Sequence, residues 1–225
     1  MTTRIGLISD VHGNLPALET VLDDMPAVDR LLHAGDVIGY NPWPREVIER
    51  FEREGVDSIL GNHDRALLGD QTFAFNSMAG RAVDWTESAL DARHLAYLEG
   101  LPVEEQFVDG RVHVAHGAPG APDRYTYPDA FHADLLPDGT DALVLGHTHV
   151  QGERSFDEGV VVNPGSVGQP RDGDPQAGYG VLEVGDAGVA SVRLHRVEYP
   201  IEDVQRKIRE LGLPEQIADR LSEGR

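Results

Sequence analysis

Five stretches of the chain share one pattern, a short apolar, β-prone run that stops abruptly at Gly, Asp, Asn or His. They are Ile5 to His12, Leu31 to Asp36, Ser58 to Asp64, Val112 to Gly117 and Ala142 to His149. Near-continuous apolar runs of this length predict buried strands of an α/β sheet. Helical spacing fills the gaps between the first three, over Leu15 to Leu22 and Arg45 to Arg53, so the chain opens β-α-β-α-β. Ligand sites in such sheets form beyond the carboxyl ends of the strands, where all five polar clusters fall. The alternation breaks from Arg65 to Leu101, where Met78, Ala82, Trp85 and Ala89, then Leu90, Leu95 and Leu98, predict two helices. Trp85 belongs to a helix face that covers a sheet. Beyond Val150 the chain becomes strand-rich and glycine-punctuated, which predicts a second sheet stacked on the first. Near the end, Ile201, Val204, Ile208 and Leu211, followed by Leu213, Ile217 and Leu221, form an apolar stripe. It packs against this chain or a second copy, which leaves a homo-oligomer open.

A length of 225 residues makes one domain over 1–225 the default expectation. Cysteine is absent, which removes disulfides and thiolate chemistry, so any metal must be held by His, Asp, Glu or Asn. The first apolar run is too short for a secretory segment and no run approaches the ~20 residues of a membrane span, so the expected location is the cytoplasm. Net charge is −20, with 39 acidic against 19 basic side chains, and Lys207 is the only lysine. Such a surface repels nucleic-acid backbones and anionic lipid, so neither bulk nucleic acid nor membrane is an expected partner. A small phosphorylated substrate can still bind where cations reverse the local sign. The acidity fits a saline cytoplasm, or a GC-rich genome in which Arg replaces Lys.

The chemistry lies at the strand ends. Asp10 and His12, two residues apart in an extended segment, point the same way, and His147 and His149 repeat that geometry with two imidazoles. Asp36 after Gly35 and Asn62 after Gly61 add oxygen ligands beside glycines that admit a close backbone. His116 adds a further imidazole. Any one of these could be a turn residue or a satisfied core histidine; five at successive strand ends point to a metal site. Mixed imidazole, carboxylate and amide donors suit Mn, Fe, Zn, Ni or Co better than Mg or Ca.

The ordered motifs Asp10-x-His12, Gly35-Asp36, Gly61-Asn62-His63-Asp64, His116-Gly117 and Gly146-His147-x-His149 resemble those of the calcineurin-like metallophosphoesterase family. Asn163 to Arg171 resembles the small bacterial and archaeal phosphodiesterase branch. The resemblance implies an α/β/β/α fold, two stacked mixed sheets with helices on both outer faces. It implies two divalent ions, one on Asp10, His12, Asp36 and His149, the other on Asp36, Asn62, His116 and His147, with Asp36 shared. The implied activity is hydrolysis of a phosphodiester or phosphomonoester of a small molecule or nucleotide. His63 would be the general acid toward the leaving oxygen, oriented by Asp64. Two departures stand out: Ala115 replaces the Gly before His116, and Val37 to Tyr40 lacks the Asp and Arg of protein Ser/Thr phosphatases and diadenosine tetraphosphatases. Arg65, Gln169 and Arg171 are candidate substrate contacts, and Asn14 is a candidate for either substrate or a helix cap. The alternative is a non-catalytic metal-binding scaffold of the same fold, as in a retromer subunit that lacks the catalytic His.

Overall fold

The structure, a computed structural model, describes residues 2–69 and 77–225. The chain runs β1 (Thr3–Ile8), α1 (Leu15–Asp24), β2 (Arg30–His33), α2 (Pro44–Glu54), β3 (Asp57–Ser58), α3 (Asn62–Leu67), α4 (Ser77–Ala89) and α5 (Ala92–Glu99). It continues β4 (Glu104–Phe107), β5 (Val112–Ala115), β6 (Ala142–Val144), β7 (Gly152–Ser155), β8 (Val160–Asn163), β9 (Ala177–Gly185), β10 (Gly188–Val197), α6 (Ile201–Glu210) and α7 (Glu215–Glu223). One sheet has the order β10-β9-β1-β2-β3 and the other β4-β5-β6-β8-β7. Both are mixed, with β1, β2 and β3 parallel in the first and β5, β6 and β8 parallel in the second.

The two helices expected between the first strands form α1 and α2, and Asn14 caps α1, its Oδ1 accepting from Ala17 N–H at 3.2 Å. Residues 70–76, within the stretch expected to form two helices, lie outside the described residues, and the remainder of that stretch forms α3, α4 and α5. Trp85 packs against the core, as a covering helix face should.

The assignment of strands to sheets differs from the sequence expectation. The five runs do not share one sheet, because β5 and β6 belong to the second. Nor do the late strands make a separate layer, because β9 returns to pair antiparallel with β1, Ile5 opposite Leu182, and carries β10 with it. An apolar run records that a strand is buried on both faces and says nothing about which neighbour it takes.

Between the sheets lie Ile5, Leu7 and Leu32 from one and Val114, Val144 and Val162 from the other. The outer face of the first sheet meets the α-helices through Leu18, Ile48, Phe51, Val204 and Ile208. Short 3-10 turns at Pro128–Ala130 and Ala133–Leu135 cover the outer face of the second, with Phe131 and Leu135 on Leu143 and Val161. The C-terminal stripe packs into this chain's own core through Val204, Ile208, Ile217 and Leu221, while Leu211 stays exposed. Among the described residues no helix is long and apolar enough to cross a membrane.

Candidate metal centre

Every parallel strand that ends near the seam between the sheets delivers polar residues to one place. The turns beyond them are laced by backbone bonds, Asp10 N–H to Gly35 O, His12 N–H to Asp36 O, Gly146 N–H to His116 O and Gly168 N–H to Asp10 O, each within 3.0 Å. Seven described non-glycine residues have left-handed φ, and five of them are Asp10, His12, Asp36, His147 and His149. Left-handed backbone costs an L-residue energy and persists where the surroundings enforce it, most often at functional sites.

One ligand atom each from Asp10, His12, Asp36 and His149 lies within 4.8 Å of the others, all four side chains buried. His12 Nε2 is 3.1 Å from His149 Nε2 and 3.5 Å from Asp36 Oδ2, and His149 Nε2 is 3.2 Å from Asp10 Oδ1. A second group meets the first at Asp36, whose Oδ2 is also 3.5 Å from His116 Nε2. Asn62 Oδ1 lies 3.2 Å from His116 Nε2 and 2.9 Å from His147 Nδ1, and those two nitrogens are 3.2 Å apart. The seven side chains named from the sequence thus lie together in two groups that meet at Asp36.

The donor chemistry suits cations. His12, His116 and His149 each donate Nδ1–H to a backbone carbonyl, of Ile38 at 3.1 Å, Ala34 at 2.7 Å and Gln169 at 2.5 Å. With Nδ1 so engaged, each ring in its neutral form turns the lone pair of Nε2 into the cluster, the arrangement that orients metal-bound imidazoles. Two lone pairs 3.1 Å apart repel unless a positive charge lies between them. Asp10 Oδ1 is buried without a hydrogen bond, whereas Oδ2 accepts from Ser9 Oγ at 2.5 Å and His147 N–H at 3.1 Å. Burial pulls His147 down to about 3 and lowers His12 well below its usual value, so these rings stay neutral donors. At His116 burial is outweighed by the Asp36 carboxylate, which lifts it to about 9.

His63 is buried at the edge of the cluster, its ring 4.8 Å from that of His12 and 4.6 Å from that of Tyr40, while its backbone N–H donates to Asp36 Oδ1 at 2.8 Å. Burial lowers its ring to about 4. Asp64 was expected to orient His63, and its hydrogen bonds run elsewhere. Its carboxylate receives the backbone N–H groups of Gly61, Asp36, Val37 and Ile38 at 2.9–3.2 Å. Adjacency in the helical turn of α3 points the two side chains apart, so Asp64 holds the Asp36 turn. Arg65 forms an ion pair with Asp123. Arg171 donates to Tyr40 Oη at 3.2 Å and Gln169 Oε1 at 2.9 Å, and Arg171 Nε and Gln169 Nε2 are buried donors without a partner among the described residues.

Several site residues escaped sequence reasoning. Tyr40 packs on both His12 and His63, and its only sequence signal is its position just after Gly39. Tyr125 packs on His147 with ring centroids 4.0 Å apart, and no motif announces it. Asn163, legible as the start of the run to Arg171 but without an assigned role, fastens the His147 turn, its Nδ2 donating to Gly146 O at 2.7 Å and Thr148 Oγ1 at 3.1 Å.

Comparison with known proteins agrees with this geometry. Residues 3–187 match the calcineurin-like phosphoesterase superfamily domain. An uncharacterised protein of Methanocaldococcus jannaschii is 33% identical, with 99% of each chain covered. Phosphodiesterase YfcE of Escherichia coli K12 is 28% identical over 80% of this chain and 87% of its own length. The crystal structure of a metallophosphoesterase from Sphaerobacter thermophilus superposes with a TM-score of 0.81, at 37% identity and full coverage of both chains.

Proposed function

The chain belongs to the calcineurin-like phosphoesterase superfamily and is a metal-dependent phosphoesterase, and from that premise we propose that it hydrolyses a small phosphodiester or phosphomonoester at a two-cation centre. The observation that carries the proposal is the pair of buried side-chain groups that meet at Asp36, with Nδ1 of His12, His116 and His149 engaged by backbone carbonyls and Nε2 facing the cluster. Asp10, His12, Asp36 and His149 would hold one ion and Asp36, Asn62, His116 and His147 the other, drawn from Mn, Fe, Zn, Ni or Co. When bound, such a pair polarises a phosphate and acidifies water for attack on phosphorus.

The protein's own groups supply the rest. His63, beside the cluster and outside both ligand groups, would give its proton to the departing ester oxygen. An anionic phosphate nearby favours the protonated ring and opposes the lowering by burial. Gln169 Nε2 and Arg171 Nε, the donors without partners, would bind phosphate oxygens. Asp64 would hold the Asp36 turn through four amides, and Arg65 would brace α3 through Asp123. The full-length correspondence with the Sphaerobacter protein supports residues 1–225 acting as one domain.

The test is turnover of bis(p-nitrophenyl) phosphate with added Mn, Ni or Co, together with elemental analysis. Close to two first-row ions per chain and metal-dependent turnover are expected, with both ions disturbed in Asp36→Asn. Metal binding without turnover of any phosphoester would favour the non-catalytic scaffold instead.

A further inference from the structure

Of the four large apolar side chains that the described residues leave exposed, two stand together beside the metal centre. Tyr125 is 47% exposed and Tyr127 44%. The Tyr125 ring is nonetheless packed 4.0 Å from the ring of His147, and Tyr127 follows with centroids 6.2 Å apart and planes 17° from parallel. Exposed aromatic faces at the rim of a polar cluster offer a flat group a surface on which to stack.

The pair is held in place by its surroundings. After His116 the chain doubles back so closely that a Cβ on Gly117 would lie 2.6 Å from the carbonyl oxygens of Pro122 and Arg124. Thr126, between the two tyrosines, is buried, and residues on either side of a buried position in extended chain share the opposite side. The Arg65–Asp123 ion pair ties this loop to α3, the element that carries His63.

The cluster's own groups address a phosphate and leave the alcohol of the ester to other residues. We propose that Tyr125 and Tyr127 form an aromatic platform for that alcohol, and that the substrate is a phosphoester bearing a planar ring of nucleobase type. The inference rests on the phosphoesterase reading and names its substrate class. Stacking accepts any base, so the selection is for a ring over none. The net charge of −20 opposes a long polynucleotide, which leaves esters of nucleotide size.

Calorimetric titration of the Mn-loaded chain with AMP and with ribose 5-phosphate separates the ring from the sugar phosphate that both compounds share. AMP should bind about 5- to 150-fold more tightly, the range that base–aromatic stacking provides. Tyr125→Leu and Tyr127→Leu should bring the ratio of the two Kd values toward one, and Tyr125→Phe should preserve it. If Tyr125→Leu proves unfolded by its melting curve, Tyr127→Leu carries the test. A ratio near one in the parent, or one undiminished in the Leu variants, overturns the proposal. If neither compound binds while bis(p-nitrophenyl) phosphate is turned over, the platform is wrong and the phosphoesterase reading stands. If nothing binds and no phosphoester is turned over, both fall.

Discussion

Gly61→Ala should disable the metal centre without altering a ligand. The backbone at Gly61, φ −92° and ψ −175°, is ordinary extended chain that alanine adopts freely, so conformational strain adds nothing. The damage is steric: an added Cβ would lie 2.0 Å from Asp36 Oδ1, 2.3 Å from Asp36 N and 2.5 Å from Asp36 Cγ. Carbon and oxygen settle at about 3.3 Å or more, so the carboxylate must withdraw by roughly 1.3 Å. Metal ligands tolerate about 0.2 Å. Because Asp36 Oδ2 stands 3.5 Å from both His12 Nε2 and His116 Nε2, one displacement reaches both ligand groups. Overpacking of this kind costs about 1–3 kcal/mol, a fall in Tm of roughly 2–12 °C for a chain of this size. Affinity at both metal positions should drop by at least ~10–100-fold, as when residues supporting a ligand are lost. Scanning fluorimetry reports the first quantity, and elemental analysis after dialysis with chelator competition reports the second. Gly80→Ala, where a Cβ meets nothing within 4 Å, is the control and should be neutral or slightly stabilising. Two tightly held ions per chain in Gly61→Ala would refute the claim that Asp36, fixed by this contact, is the shared ligand.

His63→Ala should retain its metal and lose on the order of 10²–10⁴-fold in rate, less for p-nitrophenolate esters and more for alkoxides. Equal losses for both leaving groups, or loss of metal, would remove His63 from the proton-transfer role. Asn62→Ala and His116→Ala should each weaken one metal position and slow every substrate alike, which elemental analysis and kcat across a leaving-group series would check. In urea melts of metal-stripped protein, stability should fall as the pH drops below 6.5. The unfolded chain then takes up protons that native His33, His63 and His147, held by burial at about 3, 4 and 3, refuse. Each contributes about 1 kcal/mol of loss by pH 5.5. His116, raised to about 9, and Asp64, raised by burial to about 7, hold more protons in the native state than in the unfolded chain over the same range and offset part of the loss, and a stability unchanged between pH 7.5 and 5.5 would contradict these burial effects. If the net charge of −20 reflects adaptation to salt, Tm should rise toward molar KCl as self-repulsion is screened, and a Tm indifferent to KCl would return the composition to codon usage.

The sequence by itself determined which residues reach the site, while their presentation on left-handed backbone at Asp10, His12, His147 and His149, where the sequence implied extended chain, came with the fold. An apolar run that ends in Asp, Asn or His buries its strand and leaves its polar end at the sheet edge, which is local physics and needs no partner strand. That Asp10, His12, Asp36, Asn62, His116, His147 and His149 converge on one place was legible for that reason, as were α1, α2 and the C-terminal stripe. Tertiary structure decided what depends on neighbours far along the chain. The return of β9 to the edge of β1 and the placing of β5 and β6 in the second sheet follow from how whole faces pack, which no single run records. The carboxylate of Asp64 turned to the amides of residues 36–38 because the β2 and β3 turns meet there. Tyr125 met His147 because the chain doubles back over Gly117. A ligand type can be read from a residue's own chemistry, whereas a contact belongs to two segments at once and exists only after the sheets have chosen their order.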